Sequence, residues 1–310
     1  MSRGLPGPVT PARPRPGAKG LPTAMIPYDI AWKNHRLNLG HRTCIMGILN
    51  VTPDSFSDGG QFFNAQHAIT RARQMVEEGA DIIDIGGESS RPNADPVALE
   101  EEIRRVVPVV KELVKHINVP ISVDTVKAEV ARRALEAGAA IINDITALTG
   151  DPEMAKVVAD FEVPVILMHM KGIPRTMQDS PSYEDPVGEV TAYLGDAIAR
   201  AEAAGIARDK IIVDPGIGFG KTVGHNYTII KHLKNLESLK VPVLMGTSRK
   251  SFIRKTLEEN GRTAPMEEIE LGTQATVSAS IMGGAHIVRV HDVKSTATTV
   301  RIMDMIATAR

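Results

Sequence analysis

The chain has 310 residues and a single cysteine, Cys44, so no internal disulfide framework and no cysteine-based zinc site can be built from it. Aromatic residues are scarce, at 4 %, which leaves little with which to stack bases or sugars. A surplus of charge is missing too: 36 Lys and Arg stand against 37 Asp and Glu, a formal net charge of −1. Without a basic excess there is no electrostatic footprint for nucleic acid or an anionic membrane. Apolar runs stop at about six residues, far short of a membrane span. The remaining balance, 43 % hydrophobic and 24 % charged, is that of an ordinary globular protein. A cytoplasmic enzyme acting on small molecules is the class these absences leave.

Residues 1–24 stand apart, with six Pro, four Gly, Arg3, Arg13, Arg15 and Lys19 and no acid. Such a segment has little to bury and is expected to be a disordered tail. It lacks the apolar region of a secretory signal and is too rich in proline for an amphipathic presequence. Folded-looking sequence begins at Met25, and 25–310 reads as one domain.

That domain alternates short apolar runs with helical stretches. The runs are 44–50, 82–87, 120–125, 141–145, 164–169, 211–216, 243–248 and 286–292. They are rich in Ile, Val, Leu and Met without strict alternation, as parallel strands covered on both faces are. Helices are expected at 64–79, 97–117, 126–138, 152–161, 186–205, 226–240, 268–283 and 294–308, with Pro108 kinking or ending the second. Eight strand–helix units predict an α/β fold of the (β/α)8 TIM-barrel type. A doubly wound open sheet is the alternative, but no GxGxxG follows the first strand. Residues 28–39 read as a short N-terminal β-hairpin capping the barrel's bottom.

In such barrels the active site lies at the C-terminal ends of the strands. Polar residues fall there in nearly every unit: Asn50, Glu88, Asp124, Asn143 with Asp144, His169, Asp214, Ser248 with Arg249 and Lys250, and Arg289 with His291 and Asp292. Any one of them can be a helix cap or a core residue; a ring of them is better read as a pocket. Asp124, Asp214 and Asn143 suit a flat heterocycle rich in N–H groups, with Lys250 on its acceptor edge. Arg289 and His291 beside Asn50 suggest an anion corner, with Asn50 offering its carbonyl to Mg2+. The loops 51–63, VTPDSFSDGGQFF, and 88–96, ESSRPNADP, are rich in turn formers. Phe56, Asp58 and Arg91 are costly choices for plain turns, so the two loops are expected to close as a lid.

These residues carry a family resemblance. The stretch 45–60, IMGILNVTPDSFSDGG, resembles the first signature of the dihydropteroate synthases, and 84–92, DIGGESSRP, resembles their second. ISVDT at 121–125, IIND at 141–144, LMH at 167–169, DPGIGFGK at 214–221, GTSRKSFI at 246–253 and VRVHDV at 288–293 follow in that family's order. The resemblance covers about residues 28–310. It implies condensation of 6-hydroxymethyl-7,8-dihydropterin pyrophosphate with p-aminobenzoate, with release of pyrophosphate and help from Mg2+. By motif, Asp124, Asn143, Asp214 and Lys250 would hold the pterin, and Asn50, Arg289 and His291 the diphosphate and metal. Asp58, Ser90, Arg91 and Pro92 would act from the loops, and Ser251 and Phe219 at p-aminobenzoate. Asp58, Arg91 and Lys250 are the expected catalytic residues. Ser90 departs from the family's usual Thr, keeping the hydroxyl and losing the methyl. A homodimer is implied by the resemblance alone. Cys44, at the start of the first strand, is expected to pack rather than react. The rival readings are a corrinoid-linked methyltetrahydrofolate methyltransferase with a similar pterin pocket, and a pterin-binding protein without catalysis.

Overall fold

The computed structural model of the chain describes residues 25–51, 61–89, 95–173, 175–258 and 261–309. The proposed tail 1–24 lies outside them. At the start, β1 (Tyr28–Trp32) pairs antiparallel with β2 (His35–Leu39), Tyr28 opposite Leu39 and Trp32 opposite His35. Ile30, Trp32, Leu37 and Leu39 face one way and are buried. Trp32 Nε1 donates to the Ala140 carbonyl at 2.8 Å, just before a barrel strand begins. The hairpin therefore seals the N-terminal end of the barrel, as its sequence suggested.

Eight parallel strands follow: β3 (Cys44–Asn50), β4 (Ile82–Gly86), β5 (Ile121–Asp124), β6 (Ile141–Asp144), β7 (Val165–Met168), β8 (Ile211–Asp214), β9 (Leu244–Met245) and β10 (Ile287–Val290). Their order is β8-β7-β6-β5-β4-β3-β10-β9. The open edges meet through a parallel bridge of Val213 with Val243 and a 2.9 Å bond from Val213 N to the Pro242 carbonyl. Most strand residues are buried on both faces, which explains their continuous apolar sequence. Cys44 is one of them and packs in the core.

Helices α1 (Gln61–Glu78), α2 (Leu99–Leu113), α3 (Ala128–Glu136), α4 (Met154–Phe161), α5 (Pro186–Ala203), α6 (Val223–Lys231), α7 (Ser251–Leu257), α8 (Met266–Met282) and α9 (Val293–Thr308) lie between and after the strands. Three expectations need correction. Pro108 marks no boundary: α2 runs through it, because Val106, Val109, Val110 and Leu113 are buried on either side and their packing offsets one lost hydrogen bond. The helix expected over 226–240 ends at Lys231, and a 3-10 segment occupies Leu233–Leu239. Its buried residues, Leu233, Leu236 and Leu239, recur every third position, the period of a 3-10 turn. The run expected over 243–248 is a strand only at Leu244–Met245. Beyond it Gly246 passes close to Asp214 and Arg289, where a Cβ would stand 3.8 Å from Asp214 Oδ2, an ordinary contact.

Candidate active site

The barrel register sets one row of side chains across four strands: Asn50 pairs with Gly86, Gly86 with Asp124, and Asp124 with Asn143. Alternation along a strand places Asp84 and Ser122, themselves register partners, one step deeper on the same inner face. Opposite them Asp214 ends β8, and Arg289 rises from β10. Asp124, Asn143, Asp214, Phe219, Lys250 and Arg289 converge on a narrow cleft at the C-terminal ends of the strands. A larger, shallower groove of about 550 Å³ lies between α5 and the 3-10 segment at Leu233–Leu239, and no strand end contributes to it. The mouth of the barrel is the candidate site.

Arg289, expected at an anion corner with His291 and Asn50, reaches into the slot, where Nε donates to Asp84 Oδ2 at 2.6 Å and Nη2 to Asp124 Oδ2 at 2.8 Å. Burial opposes its charge, yet Asp84 and Asp124 hold the guanidinium above its ordinary pKa. Asn143 Nδ2 donates to the same Asp84 oxygen at 3.2 Å. Burial pushes the Asp124 carboxyl up to about 7, with Asp84 and Glu102 adding and Arg289 and Lys250 opposing. Burial raises Asp214 as well, against a 2.7 Å bond from Gly216 N to its Oδ1 and the cations Lys250, Arg289 and Lys221. Lys250 Nζ stands 3.9 Å from the centre of the Phe219 ring. Arg249 before it has φ 56°, a left-handed conformation that turns the chain so that Ser248 and Lys250 both reach the mouth.

His291 follows β10 and is held by Ser248, whose Oγ lies 2.9 Å from its Nδ1 and accepts from its backbone N–H. Asn50 is half-buried at the end of β3, beside Gly86 and Asp124. Ser251 is exposed at the first position of α7. Four members of the expected ring serve the frame instead. Asp144 Oδ1 and Oδ2 accept from Thr146 N and Leu148 N, holding a turn in which Ala147 and Leu148 are left-handed. Asp292 caps α9 through Ser295 N, and Glu88 pairs with Lys127. His169 lies behind the slot. Phe56, Asp58, Ser90, Arg91 and Pro92 lie outside the described residues.

Sequence reasoning missed two groups. Asp84 is wholly buried, and its signal was a carboxylate in the middle of an apolar strand, IIDIG. Lys221 is 2 % exposed and folds back under the glycine-rich turn 215–220. Its Nζ meets the carbonyls of Gly216 and Phe219 and the Nδ1 of His169 at 2.9, 3.0 and 2.9 Å. Those three contacts match the three donors of an ammonium. Burial pulls Lys221 down to about 7, with Asp214 resisting and Lys250 adding, while burial and then Lys221 take His169 down to about 3. The turn needs its glycines. A Cβ on Gly216 would lie 1.8 Å from the His169 carbonyl oxygen, and one on Gly220 would lie 2.2 Å from that of Lys171.

The donor set suits Mg2+ only in one way. Among the described residues no group of three His, Cys, Asp or Glu could cage an ion. Mg2+ commonly takes one or two protein oxygens and completes its shell with phosphates and water. The amide oxygen of Asn50, at the mouth beside Asp124, fits that role.

A family model described as pterin binding enzyme matches residues 46–291. The dihydropteroate synthase of Synechocystis sp. is 48 % identical over 265 residues, covering 86 % of this chain and 90 % of its own length. That of Escherichia coli is 46 % identical over 274 residues, covering 88 % and 95 %. Among solved structures, Yersinia pestis dihydropteroate synthase with a sulfonamide drug complex matches with a TM-score of 0.84 at 42 % identity, over 91 % of this chain and 100 % of that one. The Xanthomonas albilineans enzyme with 4-aminobenzoic acid matches with the same score and identity over 92 % and 100 %. With 7,8-dihydropteroate, the Xanthomonas enzyme matches at 0.78 and 42 % identity over 89 % and 97 %. No helix among the described residues is long and apolar enough to cross a membrane.

Proposed function

The chain belongs to the dihydropteroate synthase family and forms 7,8-dihydropteroate in folate synthesis, and we propose that it does so with the side chains gathered at the barrel mouth. Asp124, Asp214 and the Asn143 oxygen accept from the N–H groups of the pterin, and Lys250 donates to its acceptor edge. Phe219 and Ser251 belong to the p-aminobenzoate side. The observation that carries this reading is the pair of buried carboxylates, both raised by burial, facing Lys250 across a narrow slot. Each accepts one bond, from Arg289 or from Gly216 N, and the N–H groups of a pterin would add more.

The diphosphate would lie toward Arg289, His291 and Asn50. Two of the five guanidinium donors of Arg289 bond Asp84 and Asp124, which leaves others for phosphate oxygens. Mg2+ held at Asn50 would neutralise part of the diphosphate charge. In the reaction the bond from the pterin CH2 to the diphosphate oxygen breaks, a bond to the arylamine nitrogen forms, and the amine gives up a proton. Arg289 and His291 stabilise the charge that grows on the leaving group. Asp58 and Arg91 are assigned roles beside the reacting carbon on the resemblance of their loops. Pyrophosphate release that requires both p-aminobenzoate and Mg2+ is the test; release independent of either would overturn the assignment.

The sulfonamide bound by the Yersinia relative supports the same pocket as a sulfonamide site here. We place the enzyme in the cytoplasm, where a lone buried cysteine stays reduced. We also propose a homodimer through α8 and α9. Leu271 and Met282 on α8 and Ile302, Met305 and Ile306 on α9 are more than half exposed, on two helices that pack side by side. Sedimentation of the full chain should show a dimer, and of the Leu271→Glu, Met305→Glu variant a monomer.

A further inference from the structure

We infer that Asp84, beneath the slot rather than in it, is the positioning residue for pterin recognition, because one of its carboxylate oxygens fixes the direction of both Arg289 and Asn143. The inference rests on the pterin slot proposed above. Asp84 lies in the middle of β4 with no exposed surface. Its Oδ2 accepts from Arg289 Nε at 2.6 Å and from Asn143 Nδ2 at 3.2 Å.

Stability gives no reason for this residue. Among the described residues its other oxygen, Oδ1, has no hydrogen-bond partner, and neither has the hydroxyl of Ser122, its register partner on β5. Buried polar atoms in that condition weaken a fold. Nor is Asp84 needed to neutralise Arg289, which Asp124 already contacts at 2.8 Å. Two carboxylates on one guanidinium leave a net negative charge inside the barrel, an arrangement that desolvation disfavours.

What Asp84 supplies is orientation. A side-chain amide can present either its oxygen or its NH2 to a ligand, and only its partners decide which. A carboxylate accepts and does not donate, so it takes the NH2 of Asn143 and leaves the amide oxygen for the slot. The slot then presents three acceptors to a heterocycle rich in N–H groups. Arg289 is fixed in the same way: with Nε bound below, the guanidinium lies across the floor rather than folding over Asp124. Losing Asp84 would free the amide to turn its NH2 toward the N–H groups of the pterin, donor against donor.

The test is Asp84→Asn in the full chain. Three quantities are measured: equilibrium affinity for a pterin lacking the diphosphate, KM for each substrate, and the midpoint of thermal unfolding. Pterin affinity and the KM of the pterin substrate should weaken about tenfold, the size of one lost charge-assisted bond. The KM of p-aminobenzoate should stay within about twofold, since no bond on its side changes, and the midpoint should hold or rise. Unchanged pterin affinity would overturn the inference. So would a lowered midpoint with equal losses for both substrates, the mark of a structural residue. The double variant Asp84→Asn, Arg289→Gln guards against a misfolded single variant, because it removes the cation with its partner. If Asp84 acts through Arg289 and Asn143, the double loss is smaller than the product of the single losses; a full product overturns the proposal. Asp214→Asn serves as the control for the slot itself. Should it too leave pterin affinity intact, the slot reading fails; should it weaken binding while Asp84→Asn does not, only the inference about Asp84 fails.

Discussion

The two ends of this barrel treat buried polar atoms in opposite ways. At the bottom the polar groups of the hairpin and of the first barrel strand find partners. Trp32 Nε1 has the Ala140 carbonyl, and Arg42 makes a fork with Asp81 at 2.6 and 2.8 Å while Asp81 also takes Ile45 N. His286 accepts from Val243 N through Nδ1, which leaves Nε2–H for the Ile26 carbonyl 3.0 Å away. At the mouth some partners are missing. Arg289 answers to both Asp84 and Asp124, Asp84 Oδ1 and Ser122 Oγ have no partner among the described residues, and burial raises the carboxyls of Asp124 and Asp214. The bottom is arranged for stability. The mouth keeps unmet hydrogen-bonding capacity, which a ligand can satisfy and which costs stability until one arrives.

That contrast predicts a clean separation of effects. The largest should come from Trp32→Ala. It removes the big side chain of the hairpin and the 2.8 Å bond to the barrel floor. Truncating a buried Trp costs about 3–5 kcal/mol, so urea unfolding should shift by that amount. Where the variant is still folded, its pterin affinity should stay within about twofold of the parent. A comparable loss of affinity would mean that bottom and mouth are one cooperative unit.

Next in size is Asp214→Asn at the mouth. The side-chain oxygen can still accept from Gly216 N, but the new NH2 faces the slot where the N–H groups of the pterin would sit. One charge-assisted bond is worth about 1.5–3 kcal/mol, so calorimetry should show pterin affinity about tenfold weaker or worse. Stability should not fall, because a buried carboxyl already raised by burial has been neutralised. Lower stability with intact affinity would invert the comparison.

The same contrast explains how far the sequence could be read. The strands were legible because burial on both faces leaves an unbroken apolar run, and Asp124, Asn143, Asp214, Lys250 and Arg289 because strand ends in a barrel share one mouth. Position along a strand does not say which face a residue takes. Asn143 faces inward, and Asp144, next in the pleat, turns out to brace a loop; Met168 lines the slot, and His169 goes behind it to Lys221. Asp84 stayed hidden because it lies one step below the strand end, where a deep side chain acts only through longer ones. The seven-residue α7 was missed because it is too short to show a helical period, and the 3-10 segment at Leu233–Leu239 was read into the helix over 226–240 because leucines three apart also fit one helical face.

The smallest effect is also the most diagnostic, and it concerns the pH dependence of Asp124. The charged groups facing it are Arg289 from β10, Asp84 from β4, Glu102 from α2 and Lys250 before α7, with Asp214 also lining the slot. Burial raises its carboxyl from 3.8 to about 7. Below pH 3.8 the group is protonated in folded and unfolded chains alike. Between there and about 7 the folded chain keeps a proton that the unfolded chain has lost, so its contribution to stability falls as pH rises through that window and then levels. A pterin that donates to the carboxylate supplies the missing partner and favours the ionised form. Pterin affinity should therefore weaken about fourfold from pH 8 to pH 6.5, as the fraction of carboxylate drops. The gain in Tm on adding pterin should shrink over the same range, which scanning calorimetry can follow. Asp84→Asn should move the midpoint to lower pH, because the charge of Asp84 is one of the terms that raise Asp124. An affinity flat across this range would mean that Asp124 is already ionised and satisfied, and the mouth would then be as settled as the bottom.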